Sequence, residues 1–166
     1  MDINLNLKKI NKINFKKFGN VISTKNTKYT KINDGFALKY SNLSKIDVTK
    51  RKGKIQLSIF KAKARKFPMK IEMLEKHPIG TQFFFPLRNC KFIVVVAPPS
   101  KVPILKQIES FIIPPNTGIN YNIGVWHYPL IAIIDSEFIV IDRKEIKGNL
   151  IKFNFKKENI ILKYGK

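Results

Sequence analysis

The chain holds two histidines, His77 and His127, and each stands in a corner cut by Gly and Pro. The first lies in L-E-K-H-P-I-G-T-Q-F-F-F-P-L and the second in G-I-N-Y-N-I-G-V-W-H-Y-P-L. Imidazole is the side chain suited to proton transfer near neutral pH. Polar groups in tight corners between strands are well placed to point into the mouth of a barrel, where ligands bind. Glu72 and Glu75 precede His77 and offer carboxylates. Adjacent residues of a strand face opposite ways, and the sequence leaves both glutamates open between site and surface. No G-x-G-x-x-G, P-loop or C-x-x-C pattern occurs, so a nucleotide site has no motif behind it. Cys90 is the one cysteine, which excludes an intramolecular disulfide scaffold.

The elements that must position these corners read as strands. V-I-S-T, F-A-L-K-Y, I-Q-L-S-I-F, Q-F-F-F-P-L, K-F-I-V-V-V-A, I-A-I-I and F-I-V-I-D are short runs rich in Ile, Val and Phe, and I-K-F-N-F-K-K-E-N-I-I-L-K-Y alternates near the C-terminus. Turn signals part them at 33–35, 51–54, 77–80, 97–100, 114–118 and 143–149. Two short helices are expected, over 11–18 with Asn11 as cap and Gly19 in a left-handed stop, and over 103–111. Short strands at roughly ten-residue spacing predict an all-β sandwich or barrel. With no repeat, low-complexity tract or linker, residues 1–166 are expected to form a single domain.

Length and composition are those of a globular chain: 166 residues, 44% hydrophobic and 26% charged. The N-terminus has no apolar signal-peptide core, and the apolar runs at 92–99 and 129–134 fall far short of the roughly 18 residues a spanning helix needs. A soluble cytoplasmic protein is the expectation. Charge is the anomaly, with 32 Lys+Arg against 11 Asp+Glu and a formal +21. Such an excess fits a polyanion partner, and a basic β-barrel binding nucleic acid is one reading. Against it, 28 of the 32 are Lys, whereas nucleic-acid readers favour the Arg fork. Lys, Ile and Asn make up 69 of the 166 residues, and their A/T-rich codons load a surface with Lys without selection for binding. Residues 1–76 carry a net +15 and residues 77–140, where both histidines lie, a net +1. Nucleic acid is therefore not the expected partner.

The blocks H-P-I-G-T-Q-F-F-F-P-L, F-I-V-V-V-A-P, G-I-N-Y-N-I-G-V-W-H-Y-P-L and F-I-V-I-D-R, in this order and spacing, resemble the ureidoglycolate lyase family. Looser pieces upstream are K-F-G-N-V-I, I-N-D-G and S-I-F-K-A, so the likeness runs over about residues 10–143. It implies an all-β, cupin-like double-stranded β-helix barrel of jelly-roll type, usually a homodimer. It implies a carbon–nitrogen lyase that eliminates urea from ureidoglycolate to give glyoxylate in allantoin and purine breakdown. A cupin acting on another small carboxylate is the alternative.

The resemblance also implies roles. His127 is expected as base or metal ligand, His77 as second ligand or acid, and Gln82 as ligand or partner of the urea amide. Lys61 is expected to meet the substrate carboxylate, and Asn120, Tyr121 and Trp126 to line the pocket. A divalent ion such as nickel is implied at His77, His127 and Gln82, with a glutamate to complete the set. Two departures stand out: Lys61 replaces an arginine frequent in the family, losing its bidentate fork, and Tyr128 replaces a histidine that often follows the first. Asp142 and Arg143 are read as a structural pair or turn.

Overall fold

The strand Phe92–Ala97 is buried at every position, which follows from apolar packing on both of its faces. Phe92, Val94 and Val96 join one core cluster, and Ile93, Val95 and Ala97 join another. The computed structural model of the chain describes residues 2–144 and 147–165. Around Phe92–Ala97 a seven-stranded sheet runs in the order Ile151–Asn154, Met73–Lys76, Trp126–His127, Phe92–Ala97, Glu109–Ile113 and Leu7–Lys9, with Ile131–Ala132 also paired to Phe92–Ala97. A five-stranded sheet faces it in the order Gly19–Ile22, Gly118–Tyr121, Gln82–Pro86, Ser136–Arg143 and Ile55–Ala62.

Between the two sheets lies the aromatic core of the barrel, where Phe15, Phe18, Phe84, Phe111 and Phe138 meet Val94, Val96 and Val140. The far side of the seven-stranded sheet is covered by a three-stranded sheet, Asp2–Leu5, Asn159–Leu162 and Met69–Lys70. Ile71, Leu74, Ile160 and Leu162 there pack on Ile93, Val95 and Trp126. The all-β architecture expected from the strand pattern is what the chain forms, as a barrel of two facing sheets. No helix among the described residues is long and apolar enough to cross a membrane.

The two expected helices differ in detail. Residues 12–18 are a run of turns. Asn11 does cap them, its side-chain oxygen accepting from the N–H groups of Ile13 and Asn14 at 2.9 and 2.8 Å, but Phe15 and Phe18 are pulled into the core before a helix can propagate. Gly19 opens a strand instead of closing a helix. A side chain there would overlap the carbonyl of Asn120 on the neighbouring strand, so glycine is required by close approach. At 103–111 only Leu105–Gln107 is helical, as one 3₁₀ turn, and Glu109–Ile113 is a strand. The F-I-I run, aromatic and β-branched, pairs with Phe92–Ala97 and overrides the local helical pattern. Of the turn expected at 143–149, Glu145 and Ile146 lie outside the described residues.

Candidate active site

Period-two alternation decides which residues reach the barrel interior. On Met73–Lys76 and its continuation, Glu75 and His77 share a face. His127 sits directly opposite Glu75 in the register of the two antiparallel strands. From the facing sheet, Gln82 is paired with Tyr121, so these two stand side by side. Glu75, Gln82, Tyr121 and His127 line one pocket of about 340 Å³, with Tyr128 and Lys61 also on its wall. That volume suits a small ligand.

The two imidazoles lie 5.3 Å apart between ring centroids. His77 donates Nδ1–H to the carbonyl of Asn149 at 2.9 Å, and His127 donates Nδ1–H to the carbonyl of Val125 at 3.1 Å. Each bond fixes the tautomer and leaves Nε2 as a lone-pair donor. Both Nε2 atoms are buried and lack a hydrogen-bond partner. Ligand atoms of Glu75, His77 and His127 all lie within 4.8 Å of one another, and His127 Nε2 is 3.9 Å from a Glu75 oxygen. Two orphaned nitrogens and one carboxylate, converging where Glu75 and His127 line the pocket, are a donor set that fits a divalent cation.

Burial sets the charge states. His127 is 2% exposed. Desolvation, reinforced by the nearby His77 and opposed by the Val125 carbonyl, pushes its imidazolium down to about 3. It is therefore neutral at physiological pH. Tyr121 stacks on its ring at 4.5 Å, and burial, with the Glu75 charge, raises the Tyr121 phenol so that it stays protonated. The Glu75 carboxyl is raised by desolvation, partly offset by His77 and Lys152. Gln82 donates from its amide nitrogen to Asp142 at 3.2 Å, which orients the amide.

Not every expected residue reaches the pocket. Asn120 alternates with Tyr121 and points to the outer face, where its amide donates to Ser44 Oγ at 2.8 Å and to the Lys45 carbonyl at 2.9 Å. It ties down the segment crossing that face. Trp126 alternates with His127 and packs in the second core. Its indole N–H reaches Ser100, and the Lys76 ammonium lies 4.3 Å from its ring. Lys61 stands at the rim, 83% exposed on its side chain, and pairs with Glu137 at 3.1 Å. Arg143 is buried and donates to the carbonyls of Val48 and Arg51. Glu75 is the residue that sequence reasoning left undecided. The E-x-H spacing, which puts a carboxylate on the same strand face as the histidine, is the signal that could have found it.

The sequence profile described as ureidoglycolate lyase matches residues 2–162. Among curated proteins, ureidoglycolate lyase of Azotobacter vinelandii is 38% identical over 159 residues, covering 95% of this chain and 96% of the relative. That of Burkholderia mallei is 40% identical over 151 residues, covering 90% and 88%. That of Pseudomonas fluorescens is 36% identical, covering 93% of each. A solved structure of Bacillus subtilis oxalate decarboxylase aligns over 70% of this chain and 31% of that one, with a TM-score of 0.36 and 12% identity, a likeness too distant to carry an argument.

Proposed function

The chain belongs to the ureidoglycolate lyase family, and from that membership we propose how its pocket eliminates urea from ureidoglycolate to leave glyoxylate. The observation that carries the reading is the pair of histidines whose Nδ1 atoms are occupied and whose Nε2 atoms meet Glu75 without a partner. The substrate carbon bears a hydroxyl, a carboxylate and the ureido nitrogen. Elimination moves the hydroxyl proton to a base, closes the C=O bond, breaks the C–N bond and delivers a proton to the departing nitrogen.

Glu75 takes the hydroxyl proton, because burial brings its carboxyl closer to neutrality. His127, held neutral, offers a lone pair and not a base of useful strength. Glu75, His77 and His127 would hold a divalent cation, with Gln82 beside them; such an ion supplies positive charge that acidifies a bound hydroxyl. Gln82, oriented by Asp142, matches the ureido group amide to amide. Tyr121 keeps its proton and donates a hydrogen bond toward the leaving nitrogen, while Glu75 hands that nitrogen the proton it took from the hydroxyl. Lys61 at the rim attracts the substrate carboxylate. Phe84, Phe92 and Ile119 wall the pocket against water.

We read residues 1–166 as one domain working as a homodimer on a small-molecule substrate. A cytoplasmic setting fits its buried free thiol, Cys90. The test is glyoxylate release from ureidoglycolate by purified protein, with and without added divalent ions. A rate above buffer supports the assignment, and a rate equal to buffer under every condition overturns it.

A further inference from the structure

Along Ser136–Arg143 the side chains of Phe138 and Val140 enter the barrel core. Asp142 is the next residue in that inward row. The antiparallel register with Gln82–Pro86 sets Val140 opposite Phe84 and Ile141 opposite Phe83. Carried one residue on, it sets Asp142 opposite Gln82. Gln82 is in turn opposite Tyr121 on its other side. Tyr121, Gln82 and Asp142 thus form one level across three neighbouring strands. Tyr121 and Gln82 line the pocket, and Asp142 stands behind Gln82.

The contact between Gln82 and Asp142 has a direction. A carboxamide donates from its nitrogen and accepts at its oxygen, whereas an ionised carboxylate only accepts. Gln82 Nε2 therefore turns to Asp142, at 3.2 Å. Oε1, on the other arm of the same planar amide, turns away from Asp142 and toward the pocket. Among the described residues no donor reaches Oε1. Gln82 is 7% exposed, and an acceptor so far removed from water is costly to leave unmet. The terminal torsion of a lone glutamine is broad and two-fold, so either end of its amide could face a ligand. The carboxylate removes that freedom.

We propose that Asp142 locks Gln82 as an acceptor for the terminal NH₂ of the ureido group, and that the pair thereby selects N-carbamoyl over N-acyl ligands. This deepens the elimination reading, on which it rests, by assigning what recognises the leaving group. Gln82 touches the ligand, and Asp142 is a positioning residue that acts through it. A ureido group and an acetamido group share their shape, their carbonyl and their inner N–H. They differ at the end, in NH₂ against CH₃. A methyl set against Oε1 leaves a desolvated acceptor without a donor. A site built to hydrogen-bond a group rejects the analogue lacking it far more strongly than an apolar pocket does. Were Gln82 turned over, its own NH₂ would meet the ligand NH₂, donor against donor, and the preference would vanish.

Isothermal titration of the full chain with N-carbamoylglycine and with N-acetylglycine tests the pair. Both ligands carry the carboxylate, both lack the hydroxyl, and neither reacts. The wild type is expected to bind the carbamoyl ligand about 10–100-fold more tightly. Asp142→Asn keeps the shape but accepts either end of the Gln82 amide, so the ratio is expected to fall below about threefold. Gln82→Met keeps the length and removes the acceptor, with the same expected result. Lys61→Gln, which acts on the carboxylate common to both ligands, is expected to weaken the two alike and keep the ratio. A wild type that binds the two alike, or binds neither, overturns the proposal. So does an Asp142→Asn or Gln82→Met variant that keeps the full ratio with unchanged circular dichroism, and so does a ratio that collapses equally in Lys61→Gln. Should Asp142→Asn misfold, nitrogen relaxation of the Gln82 side-chain amide in the wild type decides: an order parameter above about 0.6 supports the lock, and one below it overturns the role of Asp142. Binding is read without turnover, so this result is separate from the outcome of the glyoxylate assay.

Discussion

His127 and Glu75 face each other across two antiparallel strands, with His127 Nε2 3.9 Å from the carboxylate. The pair is not an ion pair, because burial holds His127 neutral down to about pH 3. It is a lone-pair donor beside a carboxylate, with His77 completing the triangle. Removing any corner should damage the reaction more than the fold. We expect His77→Ala, His127→Ala and Glu75→Gln each to lower the rate of glyoxylate release by about 10²–10⁴-fold. His127→Ala should also lower the melting temperature, since Tyr121 loses the ring on which it stacks. Full activity in any of the three, measured on protein with an unchanged circular dichroism spectrum, would remove that residue from the mechanism.

The same triangle sets an expectation for metal. Imidazole nitrogens with one carboxylate suit nickel, zinc, iron or copper better than magnesium or calcium. Dialysis against a chelator should lower the rate at least about tenfold, and nickel or zinc should restore it while calcium does not. Isothermal titration should show one site per chain, lost in His77→Ala. A chelated protein that keeps its full rate and takes up no ion would leave Glu75 to carry the proton without a metal.

How much of this was legible before the structure turns on alternation. The corners holding His77 and His127 were marked by Gly and Pro, and the buried strand 92–97 by its unbroken apolar run. Tyr121 and His127 point into the barrel, and their neighbours Asn120 and Trp126 point out of it. A one-residue choice of face separates pocket from support, and motif proximity does not make that choice. Glu75 needed pairing information: only the register with His127 shows which of the two preceding glutamates turns inward. The expected helix over 103–111 failed because strand pairing with Phe92–Ala97 outweighed a short 3.6-residue pattern.

Glu109 ties the N-terminal segment to the barrel through ion pairs with Lys8, at 2.6 Å, and Lys17. Burial alone would raise its carboxyl, but the hydrogen bonds and charges of the two lysines outweigh it and hold the carboxyl below its ordinary 4.5. A carboxylate with a depressed native pKa stabilises the fold above its unfolded value, and that stability fades as pH falls through the native one. Both lysines are half exposed, so solvent screening limits the contribution to below about 1 kcal/mol. Urea unfolding should show Glu109→Gln less stable than wild type at pH 7 by that amount, with the gap closing as pH falls through the depressed native pKa. A gap that persists in acid would mean the loss comes from packing.

Arg143 is a clamp. Its guanidinium is buried and donates to the carbonyls of Val48 and Arg51, holding the 47–53 segment against the end of the five-stranded sheet. Gly53 makes room for it, since a side chain there would overlap both the guanidinium and the Val48 carbonyl. Thr81 fastens the same segment, donating its N–H to the Asp47 carbonyl at 2.9 Å and accepting from the Asp47 N–H at 2.9 Å. Arg143→Ala leaves two carbonyls without a donor under a closed segment, and charged hydrogen bonds of this kind contribute about 1.5–3 kcal/mol each. We expect a loss of about 2–4 kcal/mol in urea unfolding, and a similar loss for Gly53→Ala by steric overlap. The double variant should cost far less than the sum, because each substitution breaks the same contact. Strict additivity would show that the glycine and the arginine act apart, and would separate the clamp from the segment it is proposed to hold.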